Sequence, residues 1–465
     1  MNDRFHFGVI SGKLGGVDGV SLEVDKWIRI LSEMGHRIST VAGRYVHPLE
    51  DVPAERQIDF EPIRFDSADQ MRYEKLAFPY FSSQRAPLGG EGKRALLEEL
   101  TIKGEDVANR LRGIVLANEI DAIIAENTNA MPMTLLGALG VNGLVTDHRM
   151  AALFHHHDFW WERSRFSHNY IEPLLNRIMP PSEPGLEHIV ISSYAAHILS
   201  SFKRLQPVVI PNCEDFEHPV RPDDYNGNFR SDFGFGEKDI LVVQPTRIVR
   251  RKRIEDSLKL LHLLLGRYPA MRGRLHLIVS LYQGDEPDDN YVEEIKRTAE
   301  SWEIPLHLIS DRVISVRGED EEGRRIYTNR DILVNADLVV YLPVWEGFGN
   351  ALIEALAARA AVVTTTYLVY KTDIKVTGIE NIEIRDKYDE DGSLVIADHT
   401  LEEIHYILTH PRERAELAER NFAVGKREFS FRFLRERIAG VVSDYGDEIR
   451  ACRKRLKKAN TRYSV

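Results

Sequence analysis

Glu346 and Glu354 stand on either side of Gly347-Phe348-Gly349-Asn350-Ala351-Leu352-Ile353, and an apolar run, Leu338-Val339-Val340-Tyr341-Leu342, precedes them. This order predicts a buried strand, a glycine-bearing turn and a helix start. The first N–H groups of such a helix, those of Gly349, Asn350 and Ala351, have no intrahelical partner and face whatever lies beyond the strand. A helix N-terminus carries partial positive charge, and glycine lets a phosphate come close to the main chain. The chemistry is therefore anion binding. Two carboxylates flanking the anion are strong acceptors suited to hydroxyl groups, and hydroxyls on both sides of a diphosphate describe a nucleotide sugar. The plainer alternative is a helix whose acidic first turn is favoured by the macrodipole.

The glutamate pair around Gly-Phe-Gly, after a strand ending in Leu342-Pro343, resembles the signature of the retaining glycosyltransferases of family four. That resemblance implies an α/β architecture of the GT-B type, two Rossmann-like doubly wound domains facing each other across a cleft. It implies Glu346 on the donor hexose, Glu354 on the ribose, and Gly347, Phe348, Gly349, Asn350 and Ala351 around the diphosphate. Arg247 and Lys252, after the apolar run 240–244, resemble the family's diphosphate clamp. The chemistry agrees, because a departing nucleoside diphosphate gathers negative charge that fixed cations stabilise. A solvated basic face is the alternative for Arg247 to Arg253. His157-Asp158 resembles the family's His-Asp position, which implies His157 near the donor sugar and Asp158 beside it; a polar strand end packed by Trp160 and Trp161 is the other reading. Arg312 and Val313 correspond to the position that lies against the nucleobase, which implies contact through backbone and apolar surface. Gly15 and Gly16 are implied to approach the donor diphosphate or the acceptor, with a tight strand-to-helix turn as the equal alternative. His157, Glu346, Lys252 and Arg247 form the implied catalytic set.

Elements must carry these groups. A strand over Phe5–Ile10, a helix over Val20–Met34 and a second strand over Ile38–Ala42 open the chain, and the glycines between them do not give the G-x-G-x-x-G order of a dehydrogenase. No ribose-binding acid ends the second strand, which weakens a dehydrogenase reading further. Residues 44–103, with Phe78-Pro79-Tyr80-Phe81, give no clear pattern. A helix is expected from about Glu105 to Asn118, then a strand over Asp121–Ala125 ending in Glu126-Asn127-Thr128-Asn129. In an open α/β sheet the carboxyl ends of strands face the ligand crevice, so Asn127 and Asn129 are acceptor-site candidates, or else caps of the helix near Pro132. His155, His156 and His157 are consecutive, and neighbours in a strand point to opposite faces, so the three cannot ligate one ion and no metal is expected. Residues 214–238, rich in Asp, Gly, Asn and Pro, are the expected hinge. The domains expected are 1–214, completed by the helical segment 427–465, and 215–426.

At 465 residues the chain is too long for one ordinary core. A net charge of -11 argues against nucleic acid or an anionic membrane as the main partner. Only Cys213 and Cys452 are present, so neither a disulfide nor a zinc framework is expected. There is no long apolar run and no apolar stretch of the signal-peptide kind at the N-terminus, and the expected location is cytoplasmic. Helices 20–34 and 105–118 show no basic excess, which points to a small, soluble, polar or anionic acceptor and no stable membrane association. The expected activity is a metal-independent hexosyltransferase with retention, moving glucose or mannose from a UDP- or GDP-linked donor and needing no cofactor. The stretch Tyr367-Leu368-Val369-Tyr370-Lys371-Thr372-Asp373, where family members often carry Gly-Gly and an acid, resembles synthases of glucosyl- or mannosyl-glycerate solutes. A nucleotide-sugar hydrolase or epimerase, a non-catalytic sensor, and a transferase acting on a lipid or polysaccharide are the alternatives, and homo-oligomerisation stays open.

Overall fold

Runs of β-branched and aliphatic residues alternate with amphipathic helices along the chain, the pattern of parallel sheets covered on both faces. A computed structural model, describing residues 4–79, 88–282 and 288–463, divides the chain into two units, Met1–Pro211 with Leu434–Val465, and Asn212–Phe433.

The first unit holds β1 (His6–Ser11), β2 (Arg37–Ala42), β3 (Gln57–Asp59), β4 (Ala122–Glu126), β5 (Ala152–His156), β6 (Glu187–Val190) and β7 (Val208–Val209). All pairings are parallel, in the order β3-β2-β1-β4-β5-β6-β7. Every residue of β1, β4 and β5 is buried, as central strands between two helical layers require. Helix Gly19–Glu33 follows β1; Asp18 caps it by accepting from the Ser21 N–H, and Val24, Trp27, Ile28 and Leu31 form its buried stripe. Chain returning from the second unit completes the first. In helix Gly446–Tyr463, Cys452 Sγ accepts from the Ala151 N–H at 3.3 Å and Arg453 pairs with Asp121 at 2.7 Å, while the Tyr445 hydroxyl accepts from the Ala152 N–H at 3.0 Å.

The second unit holds β8 (Ile240–Gln244), β9 (Leu275–Val279), β10 (Leu306–Leu308), a small hairpin of β11 (Gly318–Glu319) and β12 (Arg325–Ile326), then β13 (Leu338–Tyr341), β14 (Val362–Thr365) and β15 (Ile382–Ile384). Its main sheet is parallel, in the order β10-β9-β8-β13-β14-β15. Leu258, Leu261, Leu277, Val340, Val363 and Ile404 lie in its core. Both sheets reverse direction of growth beside their first strand, at β1/β4 and β8/β13. In doubly wound folds ligands bind outside the strand ends at such a switch point.

Two expectations need correction. The helix placed at Glu105 starts at Gly90 and runs to Ala117. Gly89, Gly90 and Gly92 disguise its start, yet Leu96, Leu100, Val107 and Leu111 continue one buried stripe. The stretch 214–238 is folded onto the second unit and is no free hinge. Phe216 and Phe229 are fully buried, and the buried Asn226 donates to the Arg221 carbonyl at 2.9 Å. Aromatic residues spaced through a polar sequence decide the outcome: Phe229, Phe233 and Phe235 gather with Tyr327. Within 44–103 lie β3 and helix Ala68–Ala77, and Phe78 is buried; Tyr80 and Phe81 lie outside the described residues.

Candidate active site

In the second unit, β13 feeds the turn that ends at Gly349, and helix Asn350–Ala357 begins there. Gly349 has φ +122°, and a Cβ on it would stand 2.3 Å from the Tyr367 hydroxyl oxygen, so only glycine fits. That hydroxyl donates to the Phe348 carbonyl at 2.8 Å and pins the turn. Tyr367 and Tyr370 are buried with their rings 5.9 Å apart, and the stretch 370–374 forms one π-helical turn. The first intrahelical bonds are those of the Leu352 and Ile353 N–H groups to the Gly349 carbonyl. Among the described residues the N–H groups of Gly349, Asn350 and Ala351 donate to nothing. The Asn350 side-chain oxygen accepts from Asn212 at 2.7 Å.

Cations come from the loop after β8, at the adjacent strand end. Gln244 anchors this loop by donating to the Lys252 carbonyl at 2.8 Å. Lys252 Nζ ion-pairs with Glu346, whose Oε1 also lies 3.4 Å from Arg251, and the ammonium sits 5.5 Å from the centre of the Tyr341 ring. Burial lowers the Lys252 pKa, against the pull of Glu346. Half-buried Arg247 pairs with no carboxylate among the described residues. Glu354 Oε2 accepts from Asn329 Nδ2 at 2.9 Å, and Asn329 Oδ1 accepts from Ser280, fully buried after β9, at 2.7 Å. Sequence reading missed Asn329, Ser280 and Arg251; only Arg251 carried a signal, its place in the basic run.

The expected nucleobase contacts fare differently. The Arg312 guanidinium donates to the carbonyls of Arg325 and Asp232 at about 3.0 Å and covers the Phe233 ring. Val313 lies in a small core with Phe229, Phe235 and Ile332. Both side chains are committed to the interior of their own unit.

In the first unit, Gly15 has φ +67°, and a Cβ there would meet the His47 carbonyl oxygen at 2.0 Å; one on Gly16 would lie 2.8 Å from Asp18 Oδ2. The chain is tightly turned at both glycines. At the end of β4, Asn127 has φ +51°, donates its N–H to the His155 carbonyl at 2.8 Å and accepts the His157 N–H at 3.1 Å. Asn129 is fully buried and its amide donates to the Ala138 and Ile178 carbonyls, at 3.0 and 2.9 Å. Asn129 is thus an internal staple with no amide hydrogen left for an acceptor, and neither asparagine caps the helix near Pro132. Asp158 pairs with Arg163 at 2.6 Å.

The three histidines split by strand alternation. His156 faces His188, 3.0 Å away, and burial holds its pKa well below the usual value. His155 and His157 face the other way and converge on Glu126, their nitrogens 3.0 Å from Oε2 and 2.6 Å from Oε1. Burial would raise the Glu126 carboxyl, but the two imidazoles hold it down to about 2. Burial would lower His157, yet the bond and charge of Glu126, with Glu23 and Asp158 nearby, keep it above 6.5. The sequence reading that no single ion could take all three histidines holds, but it overlooked that residues 155 and 157 share a face with Glu126, the partner of His155 across the β4/β5 ladder. Their ligand atoms lie within 4.8 Å of one another, so this group could hold a metal ion; as it stands, the Glu126 oxygens are satisfied by the two rings.

Residues 226–375 match the family described as "Glycosyl transferases group 1", and this span contains Arg247, Lys252, Asn329, Glu346 and Glu354. Over 444 residues, 92% of this chain and 96% of the relative, the sequence is 30% identical to the mannosylglucosylglycerate synthase of Thermotoga maritima. The chain belongs to the group 1 glycosyl transferases. A mannosylglucosylglycerate synthase of Petrotoga mobilis is 28% identical over 449 residues, 92% of this chain and 99% of that protein. Among solved structures, sucrose-phosphate synthase from Thermosynechococcus elongatus has a TM-score of 0.62 at 13% identity, covering 95% of this chain and 99% of its own. The Anabaena HepE protein in complex with UDP and glucose has a TM-score of 0.59 at 15% identity, covering 95% and 100%. These likenesses fix the fold of this group 1 glycosyl transferase as GT-B, and its family makes it a hexosyltransferase. No described helix is long and apolar enough to cross a membrane.

Proposed function

We propose that this enzyme transfers a hexosyl group, with retention, from a nucleoside diphosphate hexose to a hydroxyl of a small glycerate-type acceptor. Mannose on glucosylglycerate is the combination favoured by the names of the two full-length relatives. The observation that carries the donor half is the row of N–H groups at Gly349, Asn350 and Ala351, at a switch point that also carries Lys252 and Arg247; among the described residues those N–H groups donate to nothing and Arg247 pairs with no carboxylate. These groups bind the diphosphate and stabilise the charge that grows on it as the glycosidic bond breaks. Glu354, aimed by Asn329, takes the ribose hydroxyls. Glu346 takes the hexose: donor phosphate draws Lys252 away from it and leaves its carboxylate free to accept from sugar hydroxyls. The acceptor hydroxyl passes its proton to the departing phosphate on the same face of the sugar, so no side chain need form a covalent intermediate. The fixed cations supply the field that a divalent metal gives in other transferases, and turnover continues in chelator.

The test pairs GDP-mannose, UDP-glucose and their base-swapped counterparts with glucosylglycerate and glycerate, follows product by NMR, and reads the anomeric configuration. An anomer of the donor's own configuration, formed only with acceptor present, is the expected result. Equal release of free sugar without acceptor would make the protein a hydrolase, and inversion at the anomeric carbon would remove the same-face mechanism.

A further inference from the structure

The run Arg250-Arg251-Lys252-Arg253, after β8, divides between two tasks. Arg250 turns to helix Asp289–Ser301, its guanidinium 2.8 Å from Asp288, 2.9 Å from Glu294 and 4.9 Å from the centre of the Tyr291 ring. Arg253, with φ +53°, turns back on helix Ile254–Arg267, where it pairs with Asp256 at 2.7 Å and donates to the Gly392 carbonyl at 2.7 Å. These two arginines tie the loop to its own unit. The 3-10 turn Arg250–Lys252 leaves Arg251 and Lys252 facing one carboxylate, that of Glu346. Lys252 holds Oε1 closely, whereas Arg251 Nη1 stands 3.4 Å from the same oxygen, beyond the roughly 2.7–2.9 Å of a charge-assisted bond. Arg251 Nε is buried and, among the described residues, no hydrogen bond other than that long one engages the guanidinium.

Two like charges beside one oxygen are costly as they stand. Burial lowers the Lys252 pKa against the pull of Glu346, and the charges of Arg251 and Arg247 press it down further. One carboxylate needs one cation, and the second is surplus until something takes Lys252. We propose that Arg251 is a positioning residue for Glu346: when an anionic ligand engages Lys252, the Arg251 guanidinium closes the 3.4 Å gap and becomes the counter-ion of the carboxylate. This rests on the transferase reading only for the identity of the anion, a nucleoside diphosphate. The Glu346 side chain is 12% exposed, and a carboxylate so placed cannot lose its cation without a large desolvation cost. Lys252 cannot serve both charges, because an ammonium that follows the phosphate leaves Glu346 behind. Arginine suits the second place: its planar fork can hold a carboxylate oxygen at the fixed geometry of its N–H groups and leave the remaining lone pairs to hydroxyl groups.

The exchange predicts a coupling that a packing role does not. Affinity for GDP and for UDP is measured by calorimetry on the full-length enzyme as wild type, Arg251→Gln, Glu346→Gln and the double variant. Arg251→Gln should weaken the nucleotide that wild type binds by about fivefold or more, because Lys252 then leaves an uncompensated carboxylate. In Glu346→Gln there is no carboxylate to leave, so adding Arg251→Gln should change affinity by less than about twofold. Arg251→Lys, which keeps the charge and loses the fork, should recover part of the loss, and it carries the same cycle if Arg251→Gln does not fold. An equal loss in both backgrounds would put Arg251 on the phosphate itself and overturn the proposal, as would unchanged affinity in Arg251→Gln. If wild type binds neither nucleotide, the transferase reading fails and the exchange is still decided without ligand. Lys252→Gln imitates the withdrawn ammonium, and Arg251→Gln should lower the denaturant midpoint more in that background than in wild type. Equal drops in the two backgrounds overturn the exchange whatever the ligand is.

Discussion

The two units handle buried charge in opposite ways. In the first, Glu126, His155 and His157 satisfy one another, and little of the cluster faces outward. In the second, Lys252 is held by Glu346 while, among the described residues, Arg247 pairs with no carboxylate and three helix-start N–H groups donate to nothing. A closed set of charges fixes geometry; an open set costs stability and is kept for a ligand that will complete it. The same topology thus carries an internally paired group after β5 and the candidate anion site after β8 and β13.

Removing the open set should have the largest consequence. Lys252→Ala is expected to lower kcat/KM for the donor by more than about tenfold, roughly 1.4 kcal/mol of lost transition-state stabilisation, chiefly in kcat. Glu354→Ala should lose at least as much in kcat/KM with a larger share in KM, since ribose contacts form before reaction. Steady-state kinetics on both variants checks this, and wild-type values in the pair would mean that the candidate anion site is not the donor site.

Next is the turn that ends at Gly349. Gly349→Ala forces a side chain into a left-handed position against the Tyr367 hydroxyl, and strained backbone of this kind costs about 1–3 kcal/mol. Denaturant unfolding should show a loss in that range, with donor binding weakened further because the N–H row is displaced. Tyr367→Phe, which removes only the bond to the Phe348 carbonyl, should cost less than Gly349→Ala.

The closed style of the first unit has its own signature. Burial holds His6 and His188 at about 4, below the ordinary 6.5, so between those values the unfolded chain binds more protons than the folded one. Stability should fall as pH drops from 6.5 towards 4, and hydrogen exchange at pH 5 should show the weakening in β1 and β6. A melting temperature that stays flat over that range would contradict this. Glu126 adds a later loss: its folded value of about 2 lies below the ordinary 4.5, so its contribution disappears only as pH falls through that lower window.

Asn329→Ala should have the smallest effect, a few-fold rise in donor KM, because it removes one hydrogen bond that aims Glu354 and leaves the carboxylate in place. No change in KM would leave Asn329 as a packing residue alone.

How far each region was legible in sequence follows from its physics. Strands, helix starts and the glutamate pair announce themselves through local pattern, and the fold class was readable from apolar runs alternating with amphipathic helices. Gly349 was legible as an anion-site glycine, but the tyrosine that makes it obligatory lies 18 residues on, across a strand. The staple made by Asn129 depends on carbonyls at 138 and 178, which no window around 129 contains. Residues 214–238 misled because composition was read over the whole stretch, whereas a few well-spaced aromatics decide whether chain is bound to a core. Glu126 was in plain view at a strand end, and only the pairing of β4 with β5 makes it meet two histidines.

The return of residues 434–463 to the first unit bears on how the protein is made. Asn212–Phe433 is continuous, so the second unit can close as soon as it has left the ribosome. The first unit cannot, although it is synthesised earlier: the start of β5 waits for Tyr445 and Cys452, and Asp121 for Arg453. At about 5–20 residues per second, more than ten seconds separate the synthesis of β5 from that of its last partners. During that interval the amino ends of β4 and β5 lack the hydrogen bonds and the ion pair that Tyr445, Cys452 and Arg453 supply, so the unit synthesised first is the one completed last.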